Sequence, residues 1–435
     1  MTTQNGSIIT KFKLVLLKLL YPCVQIENSV LFFLLFYIYD LSILANLSLI
    51  IMVDDNTAKE SVVDEIKKEE KEVKEEKQEE KKEEEKKEEH KEEEKKEEKN
   101  EEKEAKKEEK KMKAVYYTSY GGGANALKHG EITVPTPKKD EVLIKTEAVA
   151  INPLDLKVQH GSFRPLYPKG FPCVPASDVA GEVVEIGSEV KNFKAGDKVV
   201  AILNSYVGGG LAEYVVAKES LTVQRPSEIT AAEAAGLPLA GLAAYQALTN
   251  YAGLKLDGSA SDKNILITAA SGGVGSFAVQ LAKYGNLHVT ATCGERNIEL
   301  VKSLGADEVL DYKTQDGASL KSPSDKKYDC VIHCASSIGW STFSHNLTTH
   351  GKVIELNYSA KSYWSVAVRK VTFSKKQLVP MSVSPKGDNL EVLVKLMKEG
   401  KLKTVIDSKH PFDKAENAWA KSAEGHATGK LIVEF

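Results

Sequence analysis

The feature that most restricts the fold of this chain lies at residues 264–275, where the apolar run Asn264-Ile-Leu-Ile-Thr268 leads directly into Ala269-Ala-Ser-Gly-Gly-Val-Gly275. A short buried strand that turns through glycines into a helix gathers backbone N–H groups and the positive end of the helix dipole at one point, which suits an anion. Gly272 and Gly275 fill the second and third positions of the dinucleotide fingerprint, and Ala270 stands in for the first glycine. Such a spacing alone often marks an ordinary turn. Here the preceding strand and a helix beginning near Val274 supply the context the motif requires.

The surrounding periodicity agrees. Strand-like His288–Cys293, Glu308–Asp311, Cys330–His333 and Lys352–Leu356 alternate with helical Ser276–Tyr284 and Asn297–Leu304. That alternation is the pattern of a doubly wound parallel sheet. Upstream, Glu141–Ala150, Val179–Ile186, Lys198–Leu203 and Leu211–Val216 are short β-branched runs divided by turns, and they predict a compact β-barrel-like domain. Ala231–Ala252 has helical spacing, and beyond Gln377 the expected elements are helix Asn389–Glu399, strand Lys403–Ile406, helix Lys414–Ser422 and strand Lys430–Phe435.

A chain of 435 residues exceeds a usual single domain, and its net charge of -3 averages unlike segments. Residues 1–52 are largely apolar, and 53–111 are almost pure Glu and Lys. Residues 30–53 are long enough to cross a bilayer, and the upstream lysines would keep the N-terminus on the cytosolic or stromal side. Asp40 sits mid-span, where a charge costs about 2.5–3.5 kcal/mol. The competing expectation is that Met52 or Met112 is the working start. The Glu/Lys segment cannot bury a core, so it is a spacer or an interaction tail. No basic stripe with interleaved aromatics points to nucleic acid. The five cysteines, Cys23, Cys173, Cys293, Cys330 and Cys334, lack CxxC pairing, which argues against a disulfide framework and fits a reducing compartment. The expected organisation is 1–52 and 53–111 as a non-globular extension, 112–238 as the barrel-type catalytic domain, 239–376 as the doubly wound nucleotide-binding domain, and 377–435 returning to complete the catalytic domain.

The end of the second strand bears on the choice of dinucleotide. An NAD site usually places an acid there, about 20 residues past the loop. Here Thr292-Cys293 is followed by Gly294-Glu295-Arg296. Arg296 would pair with a 2′-phosphate, although it also suits a solvated surface charge, and Glu295 is discordant because it would bond a 2′-hydroxyl. The expectation is NADPH over NADH. At the end of Cys330–His333, His333 and Cys334 line either the nicotinamide pocket or a packed core.

The order barrel, glycine loop, sheet and return segment resembles the medium-chain dehydrogenase/reductase superfamily over Met112–Phe435. The phrases Ile151-Asn-Pro-Leu-Asp-Leu-Lys157, Ser271–Gly275, Leu304-Gly-Ala-Asp307 and Asp311-Tyr-Lys313 resemble its zinc-independent, quinone oxidoreductase-like branch. Thr372–Pro380, Thr404–Pro411 and Gly425–Lys430 look closest to plant chloroplast-envelope quinone oxidoreductase homologues and alkenal/enone reductases. The resemblance implies a GroES-like β-barrel-type catalytic domain with a Rossmann domain, an α/β fold.

It also implies a site. Zinc alcohol dehydrogenases have Cys where this chain has Asn152 and His where it has Ser177, and the four-cysteine lobe is missing, so no metal is expected. Without zinc the remaining reaction is hydride delivery from NADPH to the C=C bond of an enone or enal, or to a quinone. By resemblance Lys157 contacts cofactor or substrate carbonyl and Asn152 bonds the nicotinamide ribose. Gly273 and Val274 meet the phosphates beside Gly272 and Gly275. Cys293 and Arg296 belong to the 2′-phosphate loop, Tyr312 lies against that phosphate, Cys334 lies near the nicotinamide, and Gly429 and Lys430 make a C-terminal cofactor contact. No proton donor stands out: Tyr206, Tyr358 and Tyr363 suit packing as well as acid chemistry, and water would serve. A chloroplast envelope location, with cytoplasm as the alternative, and a homodimer follow from the resemblance alone. The competing functions are a non-enzymatic, membrane-associated interaction protein on the same fold and an NAD-linked alcohol dehydrogenase.

Overall fold

The computed structural model describes residues 110–259, 262–336, 338–357 and 374–435. The expected apolar anchor, nearly all of the Glu/Lys segment, Tyr358 and Tyr363 lie outside them. Among the described residues no helix is long and apolar enough to cross a membrane.

Six strands form an all-parallel sheet in the order Glu308–Asp311, His288–Cys293, Asn264–Thr268, Tyr328–His333, Leu347–Glu355 and Gln377–Pro380. The strand order reverses between Asn264–Thr268 and Tyr328–His333, so the crevice above their carboxyl ends is the switch point where open α/β sheets bind ligands. Ile265 and Ile267 enter one core with Phe277 and Leu281, while Leu266 enters another with Val331, Phe343 and Val353. Burial on both faces is why this strand is apolar at successive positions rather than at alternate ones.

The second sheet has seven strands. Ile406–Pro411, Lys430–Glu434, Glu141–Ile151, Asp178–Ile186, Lys198–Ile202 and Thr222–Gln224 lie in that order, and Tyr214–Lys218 also pairs with Glu141–Ile151. Its neighbours are antiparallel except Ile406–Pro411 on Lys430–Glu434. The last strand of the chain thus sits inside the barrel-type sheet, against Ala148–Ile151. Lys111–Tyr116 and Lys128–Thr133 make a separate antiparallel pair.

Several expectations change. Ala231–Ala252 is not one helix: Ala231–Ala235 ends at Gly236, Pro238–Gln246 starts afresh, and a π-helical turn, Ala247–Tyr251, follows. Pro238 has no N–H to donate and so suits the first turn of a new helix. The Leu211–Val216 strand shifts to Tyr214–Lys218 because Leu211 and Ala212 instead reach Pro175 and Ala114. Lys403–Ile406 gives way to Ile406–Pro411. Gln377–Pro380 belongs to the parallel sheet, so the nucleotide-binding layer extends past residue 376.

Candidate active site

The glycine loop is built as its residue types demand. Gly272 caps the helix Gly273–Tyr284, whose first-turn N–H groups face the crevice at the switch point. A Cβ at Gly275 would stand 2.3 Å from the Ala269 carbonyl oxygen, so only glycine lets the helix approach the strand this closely. The tight turn uses a positive φ at Ala269, 50°, one residue before the Ala270 that the fingerprint places there.

The C-terminal segment closes the loop from the other side. Gly429 N donates to Ser271 O at 2.8 Å. Its φ is 88°, and a Cβ there would meet Val405 O at 2.1 Å, so this position needs glycine on both counts. The next residue, Lys430, runs beneath the loop: a Cβ on Gly273 would lie 3.1 Å from Lys430 Cδ. Lys430 Nζ ends in a buried cluster, donating to Asn152 Oδ1 at 2.5 Å and lying 3.5 Å from Asp178 Oδ2. Asn152 Nδ2 donates to Asp178 Oδ2 at 3.0 Å, and Leu239 N donates to Asp178 Oδ1 at 3.1 Å. Burial raises the Asp178 carboxyl, and the Lys430 charge opposes that rise.

This arrangement refines two expectations. Both polar ends of Asn152 are engaged within the protein, leaving one Nδ2 hydrogen for a ligand. Lys430 is 3% exposed, so its ammonium fixes Asn152 and Asp178 while its stem supports the glycine loop. The same geometry answers the question of a metal. Asn152 and Ser177 stand where the resemblance would put zinc ligands, and an ammonium already occupies the Asn152 carbonyl oxygen and would repel a cation. Among the described residues no group of three His, Cys, Asp or Glu side chains could hold an ion. The residues present do not fit zinc.

Lys157 stands on the helix Pro153–His160, which Asn152 caps, and its Nζ donates to Asn357 Oδ1 at 3.0 Å across the crevice. Asn357 in turn donates to Cys334 O at 3.2 Å. Behind them the Thr268 hydroxyl accepts from Cys334 N and Ala335 N at 3.1 and 3.2 Å. With its lone pairs so used, Thr268 Oγ1 donates to His333 Nδ1, 2.9 Å away. His333 is therefore the neutral tautomer with its proton on Nε2, in keeping with burial that lowers its pKa to about 4.

At the far end of the crevice, Arg296 Nη2 donates to His426 O at 2.5 Å and borders a surface pocket of about 300 Å³ shared with Lys421 and Thr428. Asn297 Nδ2 donates to Ser271 Oγ at 3.0 Å, and its Oδ1 accepts from Thr428 Oγ1 at 3.2 Å. This ties the loop after the second strand to both the glycine loop and the C-terminal segment. Tyr312 is half-exposed, with its ring over Gly294. The Cys293 thiol is 1% exposed within the core, and burial raises its pKa to about 11, so a cofactor contact at this position in the loop would be made by its backbone. Sequence reasoning missed Asp178, Thr268, Asn297 and Asn357. Only Asp178, beside the inspected Ser177, carried a signal.

Comparison with known proteins now decides the family. The family described as Alcohol dehydrogenase GroES-like domain matches residues 138–227, and Zinc-binding dehydrogenase matches 304–433. A chloroplast envelope quinone oxidoreductase homolog of Arabidopsis thaliana is 66% identical over 323 residues, covering 74% of this chain and 98% of the relative. The chain belongs to the medium-chain dehydrogenase/reductase family, in its quinone oxidoreductase branch. An Arabidopsis NADPH-dependent alkenal/one oxidoreductase is 36% identical, covering 74% of this chain and 79% of the relative. The solved quinone oxidoreductase of Coxiella burnetii superposes with a TM-score of 0.65 at 30% identity, covering 75% of this chain and all (100%) of that one.

Proposed function

We propose that this medium-chain dehydrogenase/reductase is an NADPH-dependent reductase of the C=C bond of α,β-unsaturated carbonyls, with quinones as alternative acceptors, acting without zinc. The observation that carries the reading is the glycine loop at the switch point, held from beneath by Lys430 and closed by Gly429. The residues fit a dinucleotide: the Gly275 contact leaves no room for a side chain, and the helix N-terminus offers free N–H groups to a pyrophosphate. When bound, NADPH supplies the hydride.

The chain's own groups do the rest. Arg296 offers a guanidinium where a 2′-phosphate would lie, and Tyr312 offers a ring face beside it. Lys157, held by Asn357 at the crevice, places a positive charge where a carbonyl oxygen becomes negative as the hydride adds. Neutral His333 shapes the wall through Thr268 and carries no charge that would compete. The names of the relatives support both acceptor classes and a chloroplast location. The test is oxidation of NADPH and NADH by the purified protein with a short enone, an enal and a quinone. Faster NADPH turnover with enone or enal is the expected result. Quinone preference would move the substrate class, and absence of both turnover and NADPH binding would return the reading to an interaction protein.

A further inference from the structure

Reduction of an enone needs a proton as well as a hydride, and a buried acid lies on the helix Pro153–His160 that carries Lys157. Asp155 occupies its first turn and accepts from Asn152 N at 2.7 Å. Beside it a cavity of about 10 Å³ passes Tyr117, Cys173 and Ser205 and reaches Tyr206 and the exposed Val207. That volume suits a single water. Its wall includes one polar group with nothing to bond: Ser205 is 9% exposed, and its Oγ has no hydrogen-bond partner.

We propose that Asp155, one water in this cavity and Ser205 form the path that delivers the proton completing enone reduction. The inference rests on the reductase reading above. After hydride addition at the β-carbon, the C=C π electrons shift toward the carbonyl, whose oxygen takes the negative charge of the enolate. The α-carbon then forms its new C–H bond with a proton from the water that Ser205 holds, as that water's O–H bond breaks, and the proton released by the Asp155 O–H bond restores the water. Asp155 is left as a carboxylate and regains a proton from solvent.

The charges around Asp155 suit this task. Asp178 and Lys430 face it from the barrel sheet and pair with each other, so the one available ammonium is already balanced. Tyr117 and Cys173 face it from the cavity side, and burial pushes both pKa values up, so they remain neutral. Burial first, then Asp178, raises the Asp155 carboxyl to about 7, against the lowering by Asn152 N and Lys430. It therefore holds or releases a proton near neutral pH.

The experiment uses the full chain, NADPH and a prochiral α-substituted enone in D2O, with a quinone as second acceptor. Wild type is expected to place deuterium on one face of the α-carbon. Asp155→Asn and Ser205→Ala are each expected to lower the enone-to-quinone turnover ratio by at least about tenfold. They should also scatter the deuterium over both faces, because a hydroquinone oxygen takes its proton readily from water and a carbon does not. The infrared carbonyl band of a protonated buried carboxyl should persist in Ser205→Ala and vanish in Asp155→Asn. Ser205→Ala leaves the helix cap intact, so it carries the test where Asp155→Asn folds poorly. Variants that keep the facial selectivity and the turnover ratio overturn the relay alone. A wild type that reduces no enone overturns the reductase reading and the relay with it.

Discussion

Arg296 reaches the carbonyl of His426 and keeps the rest of its guanidinium at the surface, close to the loop that follows the second parallel strand. A charge-assisted bond to a phosphate is worth about 1.5–3 kcal/mol, so Arg296→Ala should raise the KM for NADPH roughly 10- to 100-fold. The KM for NADH, which lacks that phosphate, should hardly move. Equal losses for both cofactors in steady-state kinetics would assign Arg296 to the fold. Asp178 is the opposite case, because it is fully buried against Lys430. Asp178→Asn leaves an ammonium buried without its counter-charge, which should cost about 3–5 kcal/mol in denaturant unfolding. Adding Lys430→Met removes the stranded charge while keeping an apolar stem under Gly273, and should restore most of that loss.

At the scale of elements, the strand Asn264–Thr268 and helix Gly273–Tyr284 meet at one point of backbone contact. Gly275→Ala would drive a methyl into the Ala269 carbonyl and push the helix start off the strand. We expect NADPH binding, followed by cofactor fluorescence, to be lost while the far-ultraviolet dichroism of the fold is kept. Unaltered binding would show that this contact does not shape the anion site. This unit was legible from sequence because every level of it agrees: two-sided burial makes the strand continuously apolar, and close approach demands glycine. The split of Ala231–Ala252 was legible in principle at Pro238, but helical spacing across it masked the break. The roles of Thr268 and Asn357 were not legible. Threonine at a strand end and asparagine after one are common, and what distinguishes them is which carbonyls and N–H groups the fold brings within 3 Å or so. The cluster of Asn152, Asp178 and Lys430 joins residues 278 positions apart, a juxtaposition set by the last strand entering the barrel sheet. Lys157 was placed by resemblance, and its partner came only with the fold.

The whole molecule's stability should record two buried groups whose titrations oppose each other. Asp155 has its pKa raised from 3.8 to about 7, so between those values the folded state holds a proton that the unfolded chain has released. Its contribution is complete below pH 3.8 and is lost as pH rises through about 7. His333 has its pKa lowered from 6.5 to about 4, so between those values the unfolded chain holds the extra proton. Its contribution is complete above 6.5 and is lost as pH falls through about 4. From about pH 4 to 6.5 each is worth up to about one proton, or about 1.4 kcal/mol per pH unit, with opposite sign, and the two nearly cancel. Asp155→Asn removes one side of the balance. Urea unfolding of that variant between about pH 4.5 and 6.5 should become more favourable to the folded state with rising pH, by a slope approaching one proton more than wild type. The difference should close above about pH 7, where the wild-type carboxyl is ionised in both states. Parallel stability curves for the two proteins across this range would mean that Asp155 is a carboxylate throughout, and the proton relay would lose its source.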